Sequence, residues 1–304
     1  RPEETTAYTI LTTTHCNARC PYCFEKGRSR VTMSPETARQ TARYIQSHCG
    51  GKPVSLHWFG GEPLVNPGAI RQICGLLQEE GIAYHSTITT NGFLFEDGLI
   101  SEAKTLWNLK NAQITLDGTE AEYNRIKAYV SPLENPYRRV MRNTEALLEV
   151  GIGVVIRLNV DADNADDILL LTGELSRHFE GRKKPKVYAR PIEDDGCIRD
   201  EQALFPRLCR IEEQLRCGGL KGKGGLKPSL PLHHCMADSG SSVLIAPDGQ
   251  LGLCEHYTDS DFFGHVTSPE VDRAVLESWK RRRPELPACM DCPFYPECIV
   301  PEKC

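Results

Sequence analysis

Residues 16–24 read Cys16-Asn17-Ala18-Arg19-Cys20-Pro21-Tyr22-Cys23-Phe24, and they come shortly after an apolar run at residues 8–11. Three thiols this close together can hold one face of a small metal centre. They cannot complete a four-iron cluster, which needs four ligands, so one iron would be left for a ligand from outside the protein. An open position on a metal is a place where chemistry can occur. The alternative is a zinc knuckle completed by His15.

The spacing CxxxCxxC, with Tyr22 before the third cysteine and Phe24 after it, resembles the motif of the radical S-adenosylmethionine (SAM) superfamily. The resemblance implies that Cys16, Cys20 and Cys23 bind a 4Fe–4S cluster whose open iron is chelated by SAM, with Tyr22 as a further cofactor-binding candidate. It also implies that reduction of the cluster breaks a C–S bond of SAM and releases a 5′-deoxyadenosyl radical. The motif is specific when it follows the first strand of a β/α series.

The composition excludes several classes of protein. The chain has 304 residues, enough for one large α/β domain and a smaller one. Its net charge is −5 and no block of Lys and Arg stands out, so a nucleic-acid surface is not indicated. No apolar run approaches the roughly 20 residues of a membrane span, and no signal peptide precedes the first strand. We therefore expect neither nucleic acid nor a membrane as a partner.

The cysteine content indicates metal binding. Fourteen cysteines are many for this length, and nine of them fall into two groups, in residues 16–23 and 235–304. This grouping is typical of metal ligation in a reducing compartment, so the predicted location is cytoplasmic. Cys49, at a helix end, and Cys74, on an apolar helix face, are predicted to be packing residues.

Strand and helix patterns alternate from residue 7 to about residue 192. Helical patterns separate the strands, the first with Ser34 and the last with Asn164 as N-cap. Six β/α units predict an α/β fold, a partial (β/α)6 TIM-type barrel that stays open, with its site at the carboxyl ends of the strands. The strands are expected in apolar runs rich in β-branched residues, near residues 7–13, 53–59, 83–90, 110–116, 153–160 and 185–192.

The second strand ends at Gly60-Gly61-Glu62-Pro63. Two glycines let a ligand approach the backbone closely, and Glu62 can accept a charge-assisted hydrogen bond from an ammonium group. The alternative is a simple turn. One β/α unit after the cysteine loop, the run is similar to the GGEP motif of the radical SAM superfamily. This resemblance implies that Gly60, Gly61 and Glu62 bind the amino group of SAM.

Polar residues near the ends of later strands are further candidates for the SAM site. Thr115 stands where peptide-modifying members of the family carry Ser, and Arg125 occupies a place where an arginine can clamp the SAM carboxylate. Asn159 shares one face of the fifth strand with Arg157, and we expect the SAM ribose as its partner. The alternative for each is a satisfied core polar group or a surface charge.

The regular alternation ends after residue 192. Residues 201–216 resemble a helix, and residues 218–228 form a linker rich in Gly and Lys. We therefore predict three parts: a radical SAM barrel in residues 1–192, a linker with a helix in residues 193–229 and a cysteine-rich domain in residues 230–304.

The tail carries the second group of cysteines, which a structural zinc ribbon would also explain. Residues 243–251 predict a hairpin with a Pro-Asp-Gly turn. With the upstream cysteine loop, the spacing resembles the SPASM domain, which carries auxiliary 4Fe–4S clusters. The resemblance implies one or two auxiliary clusters, with ligands among Cys235, Cys254, Cys289, Cys292, Cys298 and Cys304.

Two departures from the SPASM pattern affect these ligands. The last interval, between Cys298 and Cys304, holds five residues rather than three, and the final cysteine of the pattern is missing. The sequence therefore leaves open whether one auxiliary cluster has an open iron or a ligand beyond Cys304. It also leaves open which upstream thiol serves as a fourth ligand, among Cys197, Cys209 and Cys217.

These resemblances imply an enzyme that modifies a side chain or backbone carbon of a ribosomally made precursor peptide, for example by a thioether cross-link. The alternative enzyme is a sulfatase-type maturase that forms formylglycine. The alternative of another class is a zinc-stapled peptide-binding protein without catalysis. A flavodoxin- or ferredoxin-type reductant is an expected partner. Leader recognition is left open between an internal site, a preceding segment and a separate leader-peptide-binding protein.

Glu255 is the candidate catalytic residue because it follows Cys254 directly. We expect it to face the space between the auxiliary cluster and the barrel mouth. In sulfatase-maturing relatives an Asp at the matching place takes a proton from the substrate, and the resemblance implies this role for Glu255. The alternatives are a solvated side chain and a carboxylate that supports the metal site through His256 or a backbone N–H. A competing hypothesis is that an open auxiliary iron binds a substrate thiolate.

Overall fold

The computed structural model of the chain describes residues 5–194, 197–198, 201–220 and 242–280. Its strands and helices, in chain order, are β1 (Ala7–Thr13), α1 (Pro35–His48), β2 (Val54–Gly60), α2 (Pro67–Glu79), β3 (Tyr84–Thr90), α3 (Asp97–Thr105), β4 (Leu109–Leu116), α4 (Glu120–Lys127), α5 (Pro136–Glu149), β5 (Gly153–Val160), α6 (Ala165–His178), β6 (Lys186–Pro191), β7 (Glu193–Asp194), β8 (Cys197–Ile198), α7 (Glu201–Cys217), β9 (Ser242–Ile245), β10 (Gln250–Gly252), β11 (Gly264–His265) and α8 (Arg273–Lys280).

The strands β1 to β6 lie side by side in chain order, and each pairs in parallel with the next. All six lie at nearly the predicted positions. The sheet is open rather than closed, which confirms the predicted partial barrel of the TIM type. Parallel strands joined by helices place their carboxyl ends along one edge, and this edge positions the site.

Alternation along each strand separates a core face from an inner face. On β2, Leu56 and Trp58 are fully buried among the helices, whereas His57 and Phe59 point to the opposite side and are half-buried. The core is continuous across the sheet and contains the side chain of Cys74 and, at the end of α1, that of Cys49. The prediction that these two thiols are packing residues is confirmed. The inner face carries mostly polar side chains, and it leads to the carboxyl ends of the strands.

The hairpin of the tail continues this sheet. β9 pairs in parallel with β1, and β10 pairs antiparallel with β9, so β1 is a central strand. The turn forms as expected: the N–H of Ala246 donates to Gln250 O at 2.9 Å, and Gly249 has a positive φ of 94°. The hairpin is confirmed. Its place beside β1 could not be inferred from its own residues.

The helix starts show one confirmed cap and one correction. Ser34 accepts a hydrogen bond from the Thr37 N–H at 3.0 Å and caps α1 as predicted. Asn164 stands at the N-cap position of α6, but its side chain does not cap the helix. Its Nδ2 donates instead to Asp117 O and Asn159 O, at 3.1 and 2.9 Å, because these carbonyls lie free at the ends of β4 and β5. Asn164 therefore fastens the two strand ends together.

None of the helices described is both long enough and apolar enough to cross a bilayer.

Candidate active site

The cysteine loop, residues 14–32, is closed at its base. The Thr14 N–H donates to Val31 O at 2.9 Å, and Thr14 Oγ1 accepts from the Val31 N–H at 2.7 Å. The hydroxyls of Thr13 and Thr32 lie 2.9 Å apart. Because Thr13 ends the central strand β1, this closure holds the loop at the carboxyl edge of the sheet.

The three cysteines of the loop are half-buried. Burial raises the pKa of Cys16 to about 12, and the charges of Glu62, Cys20 and Cys23 add to this effect. Burial also raises the pKa of Cys23. Cys16 and Cys23 would ionise only beside a cation that offsets their burial, and the iron of a cluster is such a cation. This donor set therefore fits an iron–sulfur cluster.

A single metal ion is not suggested by the side chains that the structure describes. No group of three or more His, Cys, Asp or Glu residues in that part of the chain could hold one. The zinc knuckle that His15 would complete stays an alternative to the iron–sulfur cluster.

Two glycines, Gly60 at the end of β2 and Gly61 after it, pack against the base of the cysteine loop. A Cβ on Gly60 would lie 2.2 Å from Thr13 O, and one on Gly61 would lie 2.5 Å from His15 O. Gly60 also has a positive φ of 120°, a conformation that other residues rarely adopt. The space at the Cβ positions of these glycines is therefore taken by the protein's own backbone, and contact of the two residues with a ligand stays a prediction.

Glu62 follows these glycines and is fully buried. Its Oε1 accepts from the Leu64 N–H at 3.1 Å and the Thr90 hydroxyl at 2.7 Å, and its Oε2 accepts from the Asn91 N–H at 2.8 Å. Burial raises the pKa of Glu62, while these three hydrogen bonds oppose the shift. The carboxylate thus joins the end of β2 to the end of β3. Oε2 accepts only one of these bonds, so it keeps acceptor capacity for a cationic group.

A second polar group, the Asp117 cluster, consists of Tyr22, Thr115, Asp117, Lys127 and Asn159. Tyr22 OH donates to Asp117 Oδ2 at 2.6 Å, and Asn159 Nδ2 donates to Asp117 Oδ1 at 2.9 Å. Lys127 Nζ lies 2.7 Å from both Asp117 Oδ2 and Thr115 Oγ1. The structure therefore brings together three of the predicted site residues, Tyr22, Thr115 and Asn159, around a carboxylate and an ammonium.

Lys127 is the residue of this cluster that sequence reasoning missed. Its side chain is only 4% exposed. Burial alone would lower the pKa of Lys127, but the charge of Asp117, with smaller contributions from Tyr22 and Cys20, holds that pKa well above its usual range. Lys127 therefore places a positive charge beside the cysteine loop. The Arg19 N–H of that loop donates to the backbone carbonyl of Lys127 at 2.8 Å.

Arg125 does not reach the cluster. It lies on the outer side of the same helix, α4, with its side chain 67% exposed and paired with Glu122. The buried residues of α4 are Tyr123, Ile126 and Lys127. A helical spacing of three and four residues from Tyr123 selects Lys127 for the inner side and leaves Arg125 outside.

The tail segment after Cys254 packs on the cysteine loop through Arg28. Nη2 of Arg28 donates to Glu255 O at 2.9 Å and Tyr257 O at 3.3 Å, and the guanidinium lies 4.1 Å from the Tyr257 ring centroid. The ring of Phe24 stacks on that of His256 with centroids 4.3 Å apart. These contacts bring the residues next to Cys254 to the rim of the site.

Glu255 is half-buried in this segment. Burial lowers the pKa of His57, and the charge of Glu255 opposes that shift. The Glu255 carboxylate is therefore near the inner face of β2, where His57 bonds to Thr87 Oγ1 at 2.8 Å and Thr89 Oγ1 at 3.2 Å.

The structure describes only some of the other predicted tail ligands. Cys254 is half-buried, and its Sγ accepts from the His256 N–H at 3.4 Å. Among the fourth-ligand candidates, Cys209 and Cys217 are exposed thiols on α7. The remaining predicted ligands lie outside the described residues: Cys235, Cys289, Cys292, Cys298 and Cys304.

Comparison with known proteins places these features in context. Residues 10–174 match the family model described as the radical SAM superfamily. A GTP 3′,8-cyclase of Clostridium perfringens is 24% identical over 267 residues, which are 82% of this chain and 80% of the cyclase.

Solved structures share the fold. The structure described as native anSMEcpe with bound AdoMet and Cp18Cys peptide has a TM-score of 0.72 at 15% identity, with 97% of this chain and 88% of the other covered. SuiB of Streptococcus suis bound to the precursor peptide SuiA has a TM-score of 0.70 at 13% identity, with 95% and 70% covered. At these identities the likeness shows the fold alone.

Proposed function

Because the chain belongs to the radical SAM superfamily, we propose that it modifies a side chain or backbone carbon of a ribosomally made peptide, for example by a thioether cross-link. The observation that carries the proposal is the meeting of three thiols, the Glu62 turn and the Asp117 cluster at one edge of the sheet. A 4Fe–4S cluster and SAM bound there would supply a 5′-deoxyadenosyl radical. Cys16, Cys20 and Cys23 would hold the cluster.

The charges at this edge match the two ends of the methionine part of SAM. Thr115 would donate its hydroxyl to the SAM carboxylate, because its Oγ1 accepts from Lys127 Nζ at 2.7 Å and its hydrogen therefore points away from that ammonium. Lys127 would orient this hydroxyl and attract the carboxylate through its positive charge. Oε2 of Glu62 would accept from the amino group, and Gly60 and Gly61 would hold Glu62 in place. Tyr22 and Asn159 would contact the ribose or the adenine ring of SAM. Arg125 is not part of this proposal, because its side chain points outward.

A peptide substrate is favoured over a small molecule by two features. Similar structures include peptide-bound ones, and the tail resembles SPASM domains, so we propose auxiliary clusters held by Cys254 with the further tail cysteines. An electron donor of the flavodoxin or ferredoxin type would be required. A separate leader-binding protein remains one of the three options for leader recognition.

Two other functions make different predictions. A sulfatase-type maturase would oxidise Ser of a protein to formylglycine with loss of two hydrogens, or Cys with loss of two hydrogens and replacement of its sulfur, released as sulfide, by an oxygen from water. Neither reaction leaves a cross-link. A zinc-stapled peptide-binding protein would contain no iron and would not consume SAM. Anaerobic iron and sulfide analysis separates the second from both enzymes.

The proposed function is tested by anaerobic co-expression with the precursor peptide encoded nearby, followed by mass spectrometry. The expected product has lost two hydrogens, is not labelled by thiol reagents at the linked Cys, and requires SAM and reductant. Consumption of GTP with 5′-deoxyadenosine formation, and no change in any peptide, would instead indicate a nucleotide cyclase.

Glu62→Gln should weaken SAM binding while the iron content stays unchanged. The amide loses the negative charge that attracts the SAM ammonium and exchanges one acceptor for a donor, a change on the order of 1–3 kcal/mol. Equilibrium dialysis with SAM under anaerobic conditions measures it. Glu96→Gln is the matched control, because Glu96 is exposed and its side chain makes no cap bond. Equal SAM affinity in both variants would restrict Glu62 to the turn.

Glu255→Gln should separate SAM cleavage from product formation. If Glu255 takes a proton from the substrate, peptide product should fall by about 10²–10⁴-fold while 5′-deoxyadenosine is still released without product. Quantifying both products by mass spectrometry gives the coupling ratio. A wild-type rate with intact coupling would remove Glu255 as the base and favour an open auxiliary iron that binds a substrate thiolate.

A further inference from the structure

The inner face of the barrel carries positive side chains on one side, and no acidic side chain of the strands balances them. The strands β1 to β6 contain no Asp or Glu at all. β5 and β6 nevertheless direct Arg157, Tyr188 and Arg190 to the inner face, where Arg157 pairs with Tyr188 and Asn159 with Arg190 in register. The two guanidinium groups therefore flank one tyrosine on neighbouring strands.

Arg157 is held in a fixed orientation. Its Nε donates to Asn159 Oδ1 at 2.9 Å. The positive charge of Arg157 opposes the rise that burial causes in the pKa of the neighbouring Tyr188. The Tyr188 hydroxyl donates in turn to Gln113 Oε1 at 2.8 Å. A guanidinium carries about five N–H donors, so most of those of Arg157 are not used by these partners.

Neither arginine forms an ion pair with a residue whose side chain the structure describes, whereas exposed arginines such as Arg71 and Arg138 do. Arg157 is half-buried. A cation drawn into a protein interior is costly unless an anion compensates it. An orientated, partly buried guanidinium without a carboxylate is therefore expected to meet its anion in a ligand.

We propose that Arg157 and Arg190, on either side of Tyr188, bind a carboxylate of the peptide substrate. This inference rests on the proposed function, and it adds a recognition site for an acidic side chain or a carboxyl terminus. Asn159 joins this site to the Asp117 cluster, since its Oδ1 accepts from Arg157 while its Nδ2 donates to Asp117. The carboxylate would thus be anchored next to the place proposed for SAM.

A carboxylate matches the site better than a nucleotide triphosphate does. Each of the two guanidinium forks can bind one oxygen of a carboxylate, and together they more than offset its single negative charge. A triphosphate carries several negative charges, and the inner faces of β1 to β6 offer only one more cationic side chain, Lys186 at the amino end of β6. The position of Lys186 at the opposite end of the strand keeps it away from the mouth.

The test measures binding of small probes to the anaerobically reconstituted enzyme with SAM and without reductant, by ligand-observed NMR. N-acetyl-glutamate amide presents a side-chain carboxylate, N-acetyl-alanine a terminal one, and N-acetyl-glutamine amide neither. We expect one of the two carboxylates to bind and the glutamine probe not to bind. Arg157→Gln and Arg190→Gln should each weaken the binding about tenfold or more, whereas Arg177→Gln, an exposed arginine on α6, should not.

The probe that binds identifies the source of the carboxylate. Equal binding in all three variants, or binding of neither carboxylate, would overturn the proposal. Preferential binding of tripolyphosphate that depends on Arg157 would also overturn it, in favour of a phosphate ligand. Arg190 is exposed, so Arg190→Gln keeps the test decisive even if Arg157→Gln fails to fold. Because no reductant is added, a failure of the radical chemistry does not affect the result.

Discussion

Replacing Cys16, Cys20 and Cys23 together with Ala should remove about four irons per chain and abolish reductive cleavage of SAM, since all protein ligands of one cluster are lost. Iron held by tail cysteines should remain, because its ligands are not changed. Iron and sulfide analysis with quantification of 5′-deoxyadenosine tests both statements.

The control for this triple variant is Cys74→Ala. Cys74 is fully buried in the apolar core, so its loss should lower stability modestly and leave the iron content unchanged. Formation of 5′-deoxyadenosine by the triple variant would refute the assignment of the loop as the radical-generating site.

Lys127→Met should lower the free energy of unfolding strongly. It leaves Asp117, which is fully buried, without its ammonium, and breaking such a pair costs about 3–5 kcal/mol. SAM affinity should fall as well, because the positive charge proposed to attract its carboxylate is removed. Chemical denaturation and anaerobic equilibrium dialysis measure the two effects.

Two further variants separate stability from binding. Arg125→Met, two residues away on the same helix, should change the free energy of unfolding by about 1 kcal/mol or less, because its pair with Glu122 is exposed. Asp117→Asn combined with Lys127→Met removes both charges and should recover much of the lost stability but not the affinity for SAM. Recovery of SAM affinity in the double variant would show that Lys127 only neutralises Asp117.

The sequence was sufficient for the parallel strands and for the cysteine loop, because both are local signals. Each strand is a short β-branched run, and the three cysteines follow the first of them directly. The sequence pattern does not predict helix α4. One of its three buried residues is a lysine, and this residue interrupts the apolar spacing that would indicate a helix. The sequence therefore predicts Arg125 as the residue that binds the SAM carboxylate. The helical spacing from Tyr123 instead places Lys127 on the inner side of the helix.

Other features of the site depend on contacts between residues that are remote in sequence, and the sequence alone does not predict them. The role of Gly60 and Gly61 depends on the backbone at Thr13 and His15, which is remote in sequence. Likewise, the bond from Arg28 to Glu255 O joins residues from distant segments. Neither partner carries a pattern that identifies the other, so only the folded chain reveals them.

The pairing of β9 with β1 has a consequence for biosynthesis. β1 leaves the ribosome long before β9, the strand that covers its second edge. At about 5–20 residues per second, that edge stays unprotected for on the order of ten seconds or more. An unpaired β-branched edge is a template for aggregation, and contacts between remote segments form slowly. Slower induction at low temperature or chaperone co-expression should therefore raise the soluble yield.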